Sequence, residues 1–423
     1  MKFFFRLTYF VSFYFVISCA SQSPVAKVPP LRTLLLISMD GFRWDYLDKT
    51  DTPNLHAFLK DGVRAKGLQS VFPSVTFPNH YTIVTGLYAE HHGIVSNEMY
   101  DPSTKKHFDI KTTEVDAPDW WGGEPLWVSA EKQGIRTGTM FWVGSTAEIK
   151  GVRPTYFEKY DAKVTKSDRI AKVLGWLDIP LGKRPRFLTL YFEDADTIGH
   201  KFGPDSPEEK KAIEGLDAAF GELWSGLKSR GLEDSTDIVI VSDHGMATVE
   251  ANHVIHLDSL VKAADVEMVG GGAFANLWPK KGKENVVFKA LSRAKSHYQV
   301  YRKNEIPERF HYREHRRIAP ILVVADEGWY LAKFGTSPKF NAHSGTHGYD
   351  PELESMQGTL LARGPSFHRG IEIGSVHNTD LYELMCHILG IKPAPNDGNF
   401  LRVQAMLKSE APVSASEPRP VPQ

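Results

Sequence analysis

The chain has 423 residues, 42% hydrophobic and 24% charged, which is enough for one large α/β domain or two smaller ones with a sizeable core. A net charge of −1 excludes bulk electrostatic attachment to nucleic acid or to an acidic membrane. Only two cysteines occur, Cys19 and Cys386, which excludes a disulfide scaffold.

The N-terminus reads as an export signal. Lys2 and Arg6 precede the apolar run Leu7 to Ile17, which is too short for an ordinary transmembrane helix. The run ends in Val16-Ile17-Ser18-Cys19-Ala20, which resembles a bacterial lipobox. Residues 1–18 are therefore expected to be a lipoprotein-type signal peptide and Cys19 to carry the lipid; a plain signal peptide or an uncleaved anchor are the alternatives. The expected location is periplasmic or cell-surface, at the outer membrane, with membrane contact only through the anchor. Residues 19–30, small, polar and Pro-containing, read as a tether.

Leu34 to Met39 is a continuous apolar run ending at Asp40-Gly41, which fits a strand buried on both faces of a parallel sheet. Pro53 to Lys60 reads as a short helix. Ser70 to Tyr81 is a polar loop with two prolines that runs into a β-branched segment closed by Gly86. Pro78 suits the first turn of a helix, which puts Thr76 at the helix mouth, where unpaired N–H groups and the positive dipole end favour an alkoxide and a bound phosphate. Taken alone, such a threonine is more simply a helix cap.

Further helices are expected at Leu126 to Gln133, Ser167 to Leu177, Ser206 to Ser229 and Asn378 to Leu389, and further strands at Thr137 to Val143, Phe187 to Phe192, Asp237 to Ser242 and Thr359 to Gly364. From about 267 to 341 the pattern weakens, and this stretch reads as a less regular insertion beside the core sheet. Residues 31–405 read as one catalytic domain. The end of the chain, 406–423, rich in Pro, Ser and Glu from Ser409 on, reads as a disordered tail.

Strands alternating with helices predict a doubly wound sheet whose ligands sit beyond the carboxyl ends of the strands. Three of the clearest strands lead into an aspartate: Asp40, Asp196 after a short turn, and Asp243. Asp196 and His200 are four apart, on one face of a helix. Asp243-His244 is an adjacent pair, and His347 lies in the Gly-rich Ser344-Gly345-Thr346-His347-Gly348. Three carboxylates, three imidazoles and one hydroxyl can hold two metal ions, and a mixed oxygen and nitrogen set suits Zn²⁺ over Mg²⁺ or Ca²⁺. Such a site stabilises both attacking and leaving oxygens of an in-line displacement. The residues alone leave phosphoryl and sulfuryl transfer open, with Thr76 as candidate nucleophile.

These runs resemble the nucleotide pyrophosphatase/phosphodiesterase family of the alkaline phosphatase superfamily. The matching segments are Ser38-Met39-Asp40-Gly41-Phe42-Arg43, Phe72-Pro73-Ser74-Val75-Thr76-Phe77-Pro78-Asn79-His80-Tyr81, Gly122-Gly123-Glu124-Pro125, Tyr191-Phe192-Glu193-Asp194-Ala195-Asp196, Gly199-His200, Ser242-Asp243-His244-Gly245 and His347-Gly348-Tyr349-Asp350. They run in the family's order from Leu31 to about Leu401, and the resemblance is nearest to bacterial single-domain members. It implies an alkaline-phosphatase-like three-layer α/β sandwich, with a mostly parallel central sheet and a small inserted subdomain.

It also implies two Zn²⁺ ions, one held by Asp40, Thr76, Asp243 and His244, the other by Asp196, His200 and His347. Thr76 would form a phospho-threonine intermediate, which water hydrolyses to release a nucleoside 5′-monophosphate. Asn97 would donate to a phosphate oxygen; Phe77, Tyr160 and Tyr191 would contact the substrate, with Phe77 and Tyr160 clamping the base. The implied partners are nucleotides or other small phosphodiesters, with no stable nucleic-acid partner. Alternatives are hydrolysis of other phosphodiesters or of phosphomonoesters at the same site, or a non-catalytic ligand-binding lipoprotein.

Two departures stand out. Nucleotide-preferring vertebrate members carry Lys just before the nucleophile and just after the matching Asn, where this chain has Val75 and Glu98. His80, His91 and His92 match no ligand position and read as packing or hydrogen-bonding residues. Trp120-Trp121 reads as packing, Arg313 to Arg317 as a solvated basic loop, and Cys386 as an inert core thiol.

Overall fold

The computed structural model describes residue 1 and residues 32–294, 296–341 and 343–408. The signal peptide, Cys19, the tether and the tail from Ser409 lie outside the described residues. Among the described residues, no helix is long and apolar enough to cross a membrane.

The centre of the molecule is a mixed eight-stranded sheet, consistent with an alkaline-phosphatase-like α/β fold. Thr33–Met39 pairs in parallel with Phe187–Phe192 on one side and with Thr236–Val241 on the other. Thr137–Met140 and Tyr156–Glu158 extend the first side in parallel. Leu360–Arg363 runs antiparallel to Thr236–Val241, and Val63–Ala65 and Ile371–Ile373 complete that edge.

Every residue of Thr33–Met39 is buried, because helices cover both faces of the sheet. Alternation sends Leu34 and Leu36 into one apolar core, with the helices Thr76–Thr85, Leu126–Lys132 and Leu381–Leu389. Leu35, Ile37 and Met39 enter the opposite core, with Lys166–Leu177 and the long Pro207–Ser229. Ser206 caps the long helix by accepting from Glu209 N–H.

Three expectations need correction. The strand from Thr137 stops at Met140, because Phe141 adopts a left-handed φ of 58° that turns the chain. The stretch read as less regular is in fact an antiparallel four-stranded sheet of Val266–Gly271, Phe274–Pro279, Ile321–Ala325 and Tyr298–Arg302, backed by the helix Glu284–Ala294. Residues 406–408 belong to the body rather than a tail: Met406 and Leu407 are buried, and Lys408 N–H bonds Ser366 O at 2.9 Å.

Candidate active site

The carboxyl ends of the central strands meet around one tight turn. Gly41 has φ +70°, and a Cβ there would lie 2.8 Å from the Asp196 backbone, so only glycine lets the two segments touch. Asp196 N–H then bonds Asp40 O at 3.0 Å, and Gly41 N–H reaches Asp243 Oδ1 at 3.3 Å. The helix Asp194–Phe202 starts there and presents Asp196 and His200 one turn apart. Gly345 allows a second close approach, since a Cβ would sit 2.4 Å from Gly199 O. That contact brings the strand His343–Thr346, and with it His347, against the helix carrying His200.

Thr76 is the first residue of the helix Thr76–Thr85, which follows an extended Val75 and ends at a left-handed Gly86. No side chain caps this helix, so Thr76 is not the cap that a lone threonine suggests. Its Oγ1 lies 3.4 Å from His244 Nε2. Phe77 N–H donates to Asn97 Oδ1 at 2.9 Å, Pro78 has no N–H, and Asn79 N–H bonds Val75 O. Among the described residues this leaves the Thr76 N–H and the Asn97 Nδ2 amide as free donors at the helix mouth.

Three imidazoles are oriented alike. Each Nδ1 is hydrogen-bonded to a backbone carbonyl at 2.9 Å: His200 to Gly345, His244 to Gly245 and His347 to Ser74. This arrangement protonates Nδ1 and turns the Nε2 lone pairs inward, as in metal-ligating histidines. His200 Nε2 and His347 Nε2 each lie 3.3 Å from Asp196 Oδ1, and His244 Nε2 lies 3.0 Å from Asp243 Oδ2 and 3.5 Å from Asp40 Oδ1. Those same three carboxylate oxygens are buried and have no hydrogen-bond partner.

Orphaned buried oxygens on three carboxylates are costly unless a cation receives them. Burial, and then Asp243 and Asp196, push Asp40 well above the usual carboxylate range. Burial acts likewise on Asp196 and Asp243, yet the adjoining imidazoles outweigh it and hold both below that range. Asp196, His200 and His347 form one compact set of donors, and Asp40, Asp196 and His244 another that joins it to the Thr76 side. The nitrogen and oxygen donors fit metal ions that accept both.

His80, one turn beyond Thr76, bonds Ser38 Oγ at 2.7 Å and Thr76 O at 3.0 Å, and lies 3.3 Å from Asp243 Oδ2. It thus ties Thr76, the strand and the carboxylate together, the hydrogen-bonding side of what the sequence suggests for it. Tyr191 donates its hydroxyl to Asp40 Oδ2 at 2.7 Å, so its polar end positions a carboxylate and only its ring can face a substrate. Tyr160 stands edge-on to Tyr191 at 6.0 Å and is 51% exposed. Phe77 packs near Phe108 and Trp121.

One expectation away from the centre fails. Arg317 is buried rather than solvated: it bonds Asp101 at 2.9 Å, donates to Gly93 O and Trp120 O at 2.7 Å, and lies over the Trp120 ring. Cys386 is buried among apolar residues, and burial pushes its thiol up to about 12.

Residues 34–350 match the profile described as type I phosphodiesterase / nucleotide pyrophosphatase. The chain belongs to this family. It is 41% identical to bovine bis(5′-adenosyl)-triphosphatase ENPP4 over 394 residues, which covers 92% of this chain and 84% of the relative. It is 38% identical to human ectonucleotide pyrophosphatase/phosphodiesterase family member 5 over 401 residues, 94% of this chain and 83% of the relative. The solved structure of murine ectonucleotide pyrophosphatase/phosphodiesterase 5, an inactive threonine-to-alanine form in complex with AMP, superposes with a TM-score of 0.86 at 37% identity. That match covers 89% of this chain and 100% of the murine one. As a member of the phosphodiesterase / nucleotide pyrophosphatase family, the protein is a hydrolase of that type.

Proposed function

We propose that the protein hydrolyses nucleotides and related phosphodiesters to nucleoside 5′-monophosphates, with Thr76 as nucleophile and two Zn²⁺ ions as cofactor. The reading rests on one observation above all: orphaned oxygens of Asp40, Asp196 and Asp243 converge with the Nε2 atoms of His200, His244 and His347 beside a threonine at a helix mouth. Asp40, Thr76, Asp243 and His244 would hold one ion, and Asp196, His200 and His347 the other. Two such ions supply Lewis acidity that lowers the pKa of a nearby hydroxyl and neutralises charge on attacking and leaving oxygens.

The chain's own groups do the rest. The Thr76 Oγ forms a bond to phosphorus and gives up its proton to solvent, while the bond to the leaving oxygen breaks and its electron pair departs with that group. Water then cleaves the phospho-threonine bond, restoring the hydroxyl and releasing the monophosphate. The Asn97 Nδ2 and Thr76 N–H donate to the phosphoryl oxygens as charge builds, and a preorganised donor of this kind is worth about 3 kcal/mol. Asn97 is aimed by Phe77 N–H, and Asp40 by Tyr191. Phe77 and Tyr160 offer the aromatic surfaces for the base, and stacking accepts any base. The AMP held by the murine relative supports a nucleotide product. The N-terminal sequence supports export and acylation at Cys19, which predicts that Cys19→Ser releases the protein from membranes.

The test is substrate preference. Zinc-loaded mature protein should release nitrophenol from thymidine 5′-monophosphate nitrophenyl ester much faster than from nitrophenyl phosphate. The reverse preference would overturn the diesterase reading in favour of a phosphomonoesterase.

A further inference from the structure

The basic stretch Arg313 to Arg317 is pinned at both ends. Tyr312 is fully buried and donates its hydroxyl to Val95 O at 2.8 Å, and Arg317 is anchored on Asp101, Gly93 and Trp120. Between them, Glu90 Oε2 accepts the N–H of Arg313 at 2.5 Å and that of Glu314 at 2.9 Å. With the backbone fixed in this way, Arg313 and Arg316 line a cleft on the inserted sheet. Lys303 joins them from just past the strand Tyr298–Arg302, where its N–H bonds Pro320 O at 2.9 Å. Trp278, Ile318 and Pro320 add apolar lining.

The cations here outnumber their counter-charges. Glu284, the only carboxylate lining the cleft among the described residues, is taken by Arg302 at 3.0 Å, and Asp101 serves Arg316 and Arg317 together. Among the described residues, Lys303 and Arg313 form no ion pair: Lys303 Nζ donates to His315 O at 2.7 Å, and Arg313 Nε donates to Ile306 O. Both Nη groups of Arg313 are thereby left as free donors among those residues. The surplus charge is felt nearby, where burial, then Arg317 and Arg316, push the His315 imidazole down to about 4. Burial likewise lowers the Lys303 ammonium, and Glu90 offsets this only in part.

We propose that this cleft binds an organic phosphate, with the phosphate on Lys303, Arg313 and Arg316 and an apolar or planar group against Trp278. Guanidinium forks and an ammonium are the donors that suit phosphate oxygens, and such charge-assisted bonds are stronger than neutral ones. The cleft has a volume of about 650 Å³, in the range of small-molecule sites and far more than a bare phosphate fills. None of its lining residues belongs to the metal centre, so the proposal stands independently of the phosphodiesterase reading.

Equilibrium dialysis of the zinc-loaded mature protein against radiolabelled AMP at low salt counts the sites. Wild type should bind two equivalents, one at the metal centre and one in the cleft. Lys303→Gln/Arg313→Gln should weaken one of the two by about ten-fold or more, with kcat/KM for the nitrophenyl ester unchanged. Lys303→Arg/Arg313→Lys keeps both charges and should retain both equivalents. Adenosine and inorganic phosphate should each displace the cleft AMP at least about ten-fold less well than AMP does. AMP binding that is the same in wild type and Lys303→Gln/Arg313→Gln, or loss of the second equivalent in both double variants, overturns the site. Inorganic phosphate competing as well as AMP would make it a free-phosphate site, and adenosine doing so a base site; either result overturns the organic-phosphate assignment. The AMP count does not require the ester to be cleaved, so an inactive wild type would overturn the phosphodiesterase reading alone.

Discussion

The two halves of the centre are built from the same residue types and behave differently. Around Thr76, the side chains of Asp40, Asp243 and His244 are at most 2% exposed and come from the ends of core strands. In the other half His347 is 6% exposed, while Asp196 at 19% and His200 at 40% ride on a helix. The pKa directions cut across this division: burial and two neighbouring carboxylates push Asp40 up, whereas, despite burial, Asp243 and Asp196 are both held low by adjoining imidazoles and His244 and His200 are both raised by the carboxylates beside them. If each half takes an ion, the buried half should hold it against exchange more firmly than the half that water and chelator can reach. Thr76, the proposed nucleophile, lies beside the first.

The sharpest probe of this asymmetry is Thr76→Ala, which removes the proposed nucleophile beside the buried half. Turnover of the nitrophenyl ester should fall by roughly 10⁴-fold or more, with zinc content and circular dichroism retained. Full activity would overturn the covalent mechanism. Next, His200→Ala and Asp243→Asn should separate the halves by metal analysis. His200→Ala should keep close to one equivalent of zinc after mild chelation, and Asp243→Asn should lose zinc from the buried half and lower activity by at least about 10²-fold. Equal loss of both ions in both variants would mean that the halves are one cooperative unit.

Tyr191→Phe is a milder perturbation, because it deletes only the hydroxyl that supports Asp40. Zinc affinity of the buried half should drop about ten-fold, with the half carrying His200 unaffected. The remaining effect concerns stability, behind the more exposed half. Glu209 is buried, both its oxygens lack partners, and it lies against the helix of Asp196 and His200 at Gly199. Burial, then Asp196, push its pKa up to about 9 from the ordinary 4.5. A carboxyl raised on folding leaves stability intact below its unfolded value and drains it as pH rises towards the folded one. Glu209→Gln should therefore match wild type near pH 4.5 and exceed it by about 1–3 kcal/mol near pH 9, read from denaturant midpoints. A difference that is flat with pH would show that Glu209 has a partner.

Much of this architecture is legible in the residues themselves. Leu34 to Met39, Phe187 to Phe192 and Asp237 to Val241 read as buried strands because their apolar runs are unbroken, and the aspartates after them mark one edge of the sheet. The Thr76 helix declares itself through Pro78 and Gly86. What stays hidden has no local signature. The carbonyls of Ser74, Gly245 and Gly345 that orient the histidines could belong to any residue type. The strand Val266–Gly271 carries two glycines and only a partial alternation, which masks the inserted sheet. Arg317 looks solvated because its partner Asp101 is 216 residues away. Lys333 and Glu98 are likewise separated by 235 positions, so no window of the chain pairs them.

The inserted sheet is tied to the active centre at more than one point. Around it, Arg317 grips Asp101 at the far end of the hairpin strand that begins beside Asn97, Lys333 grips Glu98 at the near end, and Arg309 reaches Asp350 beyond His347. The insertion is therefore not a detachable module. Grafting a relative's insertion onto this chain to borrow its substrate range would also shift Asn97 and the loop of His347, unless the matching acidic anchors travelled with it. Specificity in this scaffold should transplant as a joined set of loops, and single-loop chimaeras should fail first at catalysis and only afterwards at folding.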